Sequence, residues 1–193
     1  MNNVIDRIKG IVVVSVQAMP SEPLYAESCM TAMMKSVVNG GAGALRVAGV
    51  RDVKIAKKLF TLPVIGLTKP NVIPKNYKEI VYITPTVKDV IDLVQAGADI
   101  IATDATQRPR PNGEKLADLF KYIHINNRIA MADISTLEEG IKAKEAGADI
   151  LSTTLAGYTL ESVNSPSKEP DFELLKQLVE TTKLLSLVHT VLL

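Results

Sequence analysis

The chain has 193 residues, 22 Lys and Arg against 21 Asp and Glu, and a formal net charge of +1. That length suits one domain, at most two, and the charge balance excludes the basic face that an electrostatic nucleic-acid binder needs. Apolar residues make up 47%, enough for a sizeable core, whereas 4% aromatics without Trp give little surface for stacking bases. One cysteine, Cys29, excludes a disulfide framework and any multi-cysteine metal site, and His124 and His189 alone leave little for a His-ligated metal. The first ten residues carry no apolar run behind their charges, so no signal peptide is expected. No apolar run reaches the about 18 residues of a membrane span. A cytoplasmic α/β domain without nucleic-acid or membrane partners is the expectation.

Strand and helix patterns then alternate. Residues 11–17 (IVVVSVQ) are nearly continuous and β-branched, as in a strand buried on both faces. Met30, Met33, Met34 and Val37 fall at i, i+3, i+4 and i+7, one helix face, and this Met stripe reads as core filling. Cys29 shares that helix and reads as structural. Gly40, Gly41 and Gly43 end the helix. Residues 44–47 give a second strand, Val53, Ala56, Leu59 and Phe60 a second helix, and residues 62–68 (LPVIGLT) a third strand. Thr86 and Asp89 have capping-box spacing before the apolar face of Val87, Val90, Ile91 and Val94.

The segments AGADII (96–101) and AGADIL (146–151) lie fifty residues apart; each ends a helix, turns on a Gly and enters a strand. Between them come the helix of Leu116, Leu119, Phe120 and Ile123 and a fifth strand, residues 129–134. Thr136 and Glu139 cap the next helix, a sixth strand runs from Ile150 through Leu155, and Phe172, Leu174, Leu175, Leu178 and Val179 mark a last helix. Residues 157–170 form a long polar loop, lid or surface.

Six βα units without hairpins predict a parallel sheet, either a doubly wound open sheet or a (β/α)8 barrel. The first junction lacks G-x-G-x-x-G, so dinucleotide binding has no support. Gln17, Arg46, Lys69, Asp104, Asp133, Thr153 and Thr154 stand at successive strand ends, where a barrel keeps its chemistry. Lys69 follows an apolar strand and is a candidate base or Schiff-base former, or else a solvated strand-end lysine. Arg46 could clamp a phosphate or carboxylate, or pair with an acid across the mouth. Asp133 and Asp104 could orient Lys69, bind sugar hydroxyls or cap helices, the cap being preferred for Asp104. Gln17 offers donor and acceptor to a hydroxyl. Arg108 and Arg110, in RPRP, are expected on a solvated loop, and His124 at a helix C-terminus, where the dipole favours it.

Together VSVQAMPSEPLY, GGAGALR, LPVIGLTKP, YITPT, AGADIIATDATQRPRP, MADIST and STTLAGYT resemble the N-acetylmannosamine-6-phosphate 2-epimerase family, over nearly the whole chain. The resemblance implies a TIM-type (β/α)8 barrel that interconverts N-acetylmannosamine 6-phosphate and N-acetylglucosamine 6-phosphate in sialic-acid breakdown, with no metal or redox cofactor. It implies that Lys69, in GLTK, takes the C2 proton and that Gln17, Arg46 and Asp133 contact the sugar phosphate.

Departures from the family pattern are Val16 for a common Cys, Ala48 for a common Asn, and the end of the chain. After Lys183 the family continues with a seventh strand carrying an Ala-Glu-Gly motif, whose Glu is the second acid/base, and an eighth strand with the phosphate loop. Here LLSLVHTVLL follows. Family codons for Pro-Val-Ile, read one base out of frame, can give Leu-Ser-Leu, so residues 184–193 are expected to be a frameshifted tail or a divergent seventh strand. One incomplete barrel domain over residues 1–193 is the expectation, with six βα units, a doubtful seventh strand and no eighth. Its activity is then in question, and a non-catalytic sugar-phosphate-binding or inert remnant is the alternative. An unpaired first strand would favour homo-oligomers.

Overall fold

The computed structural model describes residues 2–162 and 170–188. A short helix, α1 (Asn2–Ile8), leads into β1 (Val13–Val16), followed by α2 (Glu27–Asn39), β2 (Ala44–Ala48), α3 (Val50–Leu59) and β3 (Val64–Leu67). Then come α4 (Val87–Ala96), β4 (Ile100–Asp104), α5 (Leu116–Ile125), β5 (Ile129–Asp133), α6 (Leu137–Glu145), β6 (Ile150–Ser152), α7 (Phe172–Thr182) and β7 (Leu185–Leu187). All seven strands are parallel and stand in chain order. A doubly wound sheet would reverse its strand order at a switch point, so this is the winding of a barrel. The sheet is also curled. Across a flat sheet β2 and β5 would lie about 14 Å apart, yet Arg46 on β2 and Asp133 on β5 meet at 2.7 Å.

The seven strands with their alternating helices are thus an incomplete (β/α)8 barrel. Period-2 alternation sorts its side chains into two cores. Ala44, Ile65, Leu67, Ile100, Ala102, Ile129, Met131 and Ile150 line the inside. Leu45, Val47, Val64, Ile101, Ala130, Ala132 and Leu151 face outward, under Met30 and Met34 of α2, Leu93 of α4 and Phe120 of α5. The Met stripe is therefore core. Both capping boxes form: Thr86 with Asp89 opens α4, and Thr136 with Glu139 opens α6.

The repeated AGAD segments build the same joint twice. Gly97 (φ 94°) and Gly147 (φ 108°) reverse the chain in the left-handed region that side chains resist. The Asp99 carboxylate then accepts from the Val64 N–H at 2.9 Å and from Lys57 Nζ at 2.8 Å. Asp149 likewise accepts from the Ala130 N–H at 2.8 Å and contacts His124 Nε2 at 2.8 Å. Each carboxylate thus ties the start of its own strand to the strand and helix before it.

One element is additional and two expectations need correction. Residues 2–8, for which no element is expected from the sequence, form α1, whose Ile8 is buried in the inner core beside Val4 and Ile5 while Arg7 reaches the Thr61 carbonyl at 2.7 Å. The first strand is not buried on both faces: Ser15 is exposed and the adjoining Val12 is 68% exposed, because β1 is an edge strand bonded only to β2 among the described residues. The sixth strand stops at Ser152, where the chain turns, the Leu155 N–H bonding to the Ile134 carbonyl at 3.1 Å and the Ala156 N–H to the Thr153 carbonyl at 3.1 Å. The doubtful seventh strand is present as β7, in register with β6 from Ile150↔Leu185 to Ser152↔Leu187. Residues 163–169 of the long loop, and His189 with the rest of the tail, lie outside the described residues.

Candidate active site at the barrel mouth

Strand parity gathers the site. Ala44, Leu67, Ala102, Met131 and Ser152 point inward or share the register of residues that do. Two residues further along their strands, Arg46, Asp104 and Asp133 stand on the same side at the C-terminal end, and Lys69 and Thr154, just past the ends of β3 and β6, join them there. Ser15 is the register partner of Arg46, and Gln17 follows it by two. Residues of this parity are the ones that a barrel offers to a ligand at its mouth.

Arg46 and Asp133 form the centre. Arg46 Nη1 and Nη2 donate to the two Asp133 oxygens at 3.0 and 2.7 Å, with Arg46 5% and Asp133 0% exposed. Thr154 Oγ1 donates to Asp133 Oδ1 at 3.0 Å and contacts Ser152 Oγ at 2.7 Å. Of the alternatives for Arg46, the ion pair across the mouth is present. Such a bidentate pair fixes the plane of the guanidinium and leaves its Nε edge as a directed donor.

Lys69 is partly buried and, among the described residues, makes no ion pair. Burial lowers its pKa from 10.5, and the Arg46 charge lowers it further, against the pull of Asp133 and Glu22. It is thereby biased toward the neutral amine, the form that accepts a proton. Gln17 stands apart from the Arg46–Asp133 pair: its Nε2 donates to Ser15 Oγ at 2.7 Å, and its buried Oε1 has no hydrogen-bond partner.

Asp104 and the RPRP segment depart from expectation. Asp104 caps no helix, since α5 begins only at Leu116 after Lys115. Its buried carboxylate accepts from the Thr106 N–H at 3.0 Å, from Thr106 Oγ1 at 2.7 Å and from Arg108 Nη2 at 2.5 Å. Burial pushes its pKa from 3.8 up to about 6, against the attraction of Arg108 and the Thr106 hydrogen bonds. Arg108 is 7% exposed, not solvated, and its Nη1 donates to the Tyr77 carbonyl at 2.6 Å. Arg110 donates to the Asp104 carbonyl and, at 3.4 Å, to that of Pro85. Prolines and charges flagged this segment as loop correctly; the nearby partners Asp104 and Thr106 turn its arginines inward, and the Tyr77 and Pro85 carbonyls that complete their burial are too distant in sequence to be read locally. His124 does lie in the last turn of α5, where it also meets Asp149. Among the described residues no group of three or more His, Cys, Asp or Glu is arranged to hold a metal ion, and no helix is long and apolar enough to cross a membrane.

Residues 30–188 match the model of a family described as "Putative N-acetylmannosamine-6-phosphate epimerase". The chain belongs to this family. A protein of Clostridium perfringens named "Putative N-acetylmannosamine-6-phosphate 2-epimerase" is 48% identical over 181 residues, 93% of this chain and 79% of that protein. A solved structure of the N-acetylmannosamine-6-phosphate 2-epimerase from Clostridium perfringens superposes with a TM-score of 0.86 at 46% identity, covering 94% of this chain and 76% of that one. A 2-keto-3-deoxy-6-phosphogluconate aldolase of Zymomonas mobilis, 13% identical with a TM-score of 0.59 over 98% of this chain and 75% of its own, shares the fold alone. The resemblance drawn from GLTK, MADIST and the other segments is thus borne out, and Lys69, Arg46 and Asp133 are the family-motif residues that share the mouth.

Proposed function

We propose that this chain acts in the cytoplasm as a C2 epimerase of N-acetylmannosamine 6-phosphate and N-acetylglucosamine 6-phosphate, with Lys69 as the proton acceptor. The observation that carries the reading is Lys69 itself: an amine at the barrel mouth whose pKa is lowered by burial and by Arg46, in a chain belonging to the epimerase family. In the open-chain sugar the C1 aldehyde acidifies the C2 proton. Neutral Lys69 removes it, leaving an enolate, and a proton returned to the opposite face inverts the centre. Arg46, held in one orientation by Asp133, presents positive charge to the developing enolate or to the phosphate. Gln17, with a buried unpartnered Oε1, accepts from a sugar hydroxyl, and Asp133 with Thr154 beside it lines the Arg46 side of the mouth.

Lys69→Ala is expected to abolish turnover while calorimetry still shows sugar-phosphate binding. Lys69→Arg is expected to fail equally, because a guanidinium does not accept a proton near neutral pH. Near-normal turnover by either variant contradicts the assignment. A second reading has its own support. The carboxylates of Asp104 and Asp133 at the mouth are each committed to an arginine, so neither is free to return the proton on the other face. Under that reading the chain binds the sugar phosphate and exchanges its C2 proton without inverting the centre.

A further inference from the structure

We propose that Thr84 is a positioning residue for Lys69, locking the backbone that carries the amine through two hydrogen bonds to Thr68. The proposal rests on Lys69 being the proton acceptor.

Strands β3 and β4 pair only at Ile65↔Ile100 and Gly66↔Ile101. Beyond that point they part, and residues 83–84 of the β3–α4 loop enter the gap. The Asp104 N–H donates to the Ile83 carbonyl at 3.1 Å, and the Thr84 N–H donates to the Thr68 carbonyl at 3.1 Å. In return the Thr68 N–H donates to Thr84 Oγ1 at 3.0 Å. The Thr68 hydroxyl donates to Asp89 Oδ1 at 2.8 Å, and Asp89 is the capping-box carboxylate of α4. Every polar group of Thr68 is therefore committed, two of the three to Thr84. Lys69 is the next residue.

Thr84 is costly where it stands. It is fully buried at φ 42°, in the left-handed region, and it precedes Pro85. A β-branched residue resists that region. Strain of this kind persists where the surroundings over-determine it, and here the surroundings are the bonds that hold the strand end of Lys69. A lysine has four side-chain torsions, and a base must meet its proton within hydrogen-bond reach. Fixing the backbone removes the first source of error in that placement.

The test compares the full chain with Thr84→Val, which keeps shape and branching but loses the hydroxyl, with Thr84→Ser, which restores it, and with Thr84→Gly, which loses the hydroxyl without backbone strain. Each variant is checked by circular dichroism and melting. Lys69 is followed by competitive acetylation against pH, read by peptide mass spectrometry, which requires no turnover. Thr84→Val is expected to raise the Lys69 labelling midpoint toward 10.5. It is also expected to lower kcat about 10²-fold with KM within about twofold, as for a misplaced catalytic group. Thr84→Ser is expected to restore both. Should Thr84→Val not fold, Thr84→Gly carries the test: it relieves the left-handed backbone, removes the Oγ1 that accepts from the Thr68 N–H, and is expected to move the midpoint the same way. A folded variant with an unmoved midpoint, or a shift that Thr84→Ser does not reverse, overturns the proposal. A parent chain without turnover counts against the epimerase reading, and the labelling still decides what holds Lys69.

Discussion

Arg46 and Asp133 are both buried, and each would be an uncompensated charge without the other. Asp133→Asn keeps the shape but leaves the guanidinium unpaired, so it is expected to cost about 3–5 kcal/mol, seen as a lower urea midpoint. The double change Arg46→Met, Asp133→Leu is expected to cost far less, because no charge is then left behind. Asp104 gives a pH dependence of unusual sign. Its folded-state pKa, about 6, lies above the ordinary 3.8, so between these values the folded chain holds a proton that the unfolded chain has released. The contribution of Asp104 to stability therefore falls as pH rises from about 4 to about 6 and is flat above. Asp104→Asn is expected to lack that slope, so the stability difference between parent and variant changes across this window; urea titrations at pH 4, 5, 6 and 7 check it. Arg46 and Asp133 were legible as strand-end polar residues, since strand parity decides which side they face, and Lys69 as the residue that follows the apolar β3 to the mouth. Thr84 was not, because nothing local in YITPT shows that the segment enters a gap between two strands.

Among the elements, the most repeated joint is the most legible: AGAD twice in one chain predicts a helix end, a turn and a strand start, and both are present. Its energetics follow. Gly147→Ala places a Cβ at φ 108° and is expected to cost about 1 kcal/mol. Asp149→Ala leaves the Ala130 N–H without its acceptor and is expected to cost about 1–3 kcal/mol. Thermal melts of each variant, with His124→Ala beside them, separate the backbone bond from the imidazole contact: His124→Ala is expected to cost less than Asp149→Ala. The capping boxes were legible for the same local reason, as Thr and an acid three residues apart. Helix α1 was missed although Val4, Ile5 and Ile8 mark one face, because its burial against the inner core is decided by strand starts from 44 onward. The extent of β6 was overread because apolar character continues past Ser152 to Leu155 while the backbone has already turned.

At the scale of the whole molecule, the order of the strands followed from the βα alternation, and the curl was foreshadowed only by the polar residues at the strand ends. We propose that residues 1–193 form one folding unit that self-associates. Among the described residues β1 bonds only to β2, and its neighbour Val12 is 68% exposed. An unpaired, apolar strand edge invites pairing with another chain, so sedimentation is expected to show concentration-dependent association; a compact monomer at all concentrations contradicts this. The central claim is that Lys69 takes the C2 proton of the sugar phosphate. It is tested most directly by incubating the chain with N-acetylmannosamine 6-phosphate in deuterium oxide and following C2 by proton NMR. Loss of the C2 proton signal with the parent chain, and its persistence with Lys69→Ala, is the predicted result; appearance of the gluco epimer alongside identifies inversion, and its absence identifies exchange alone. A C2 signal that the parent leaves intact, or that Lys69→Ala removes as fast as the parent, would contradict the account.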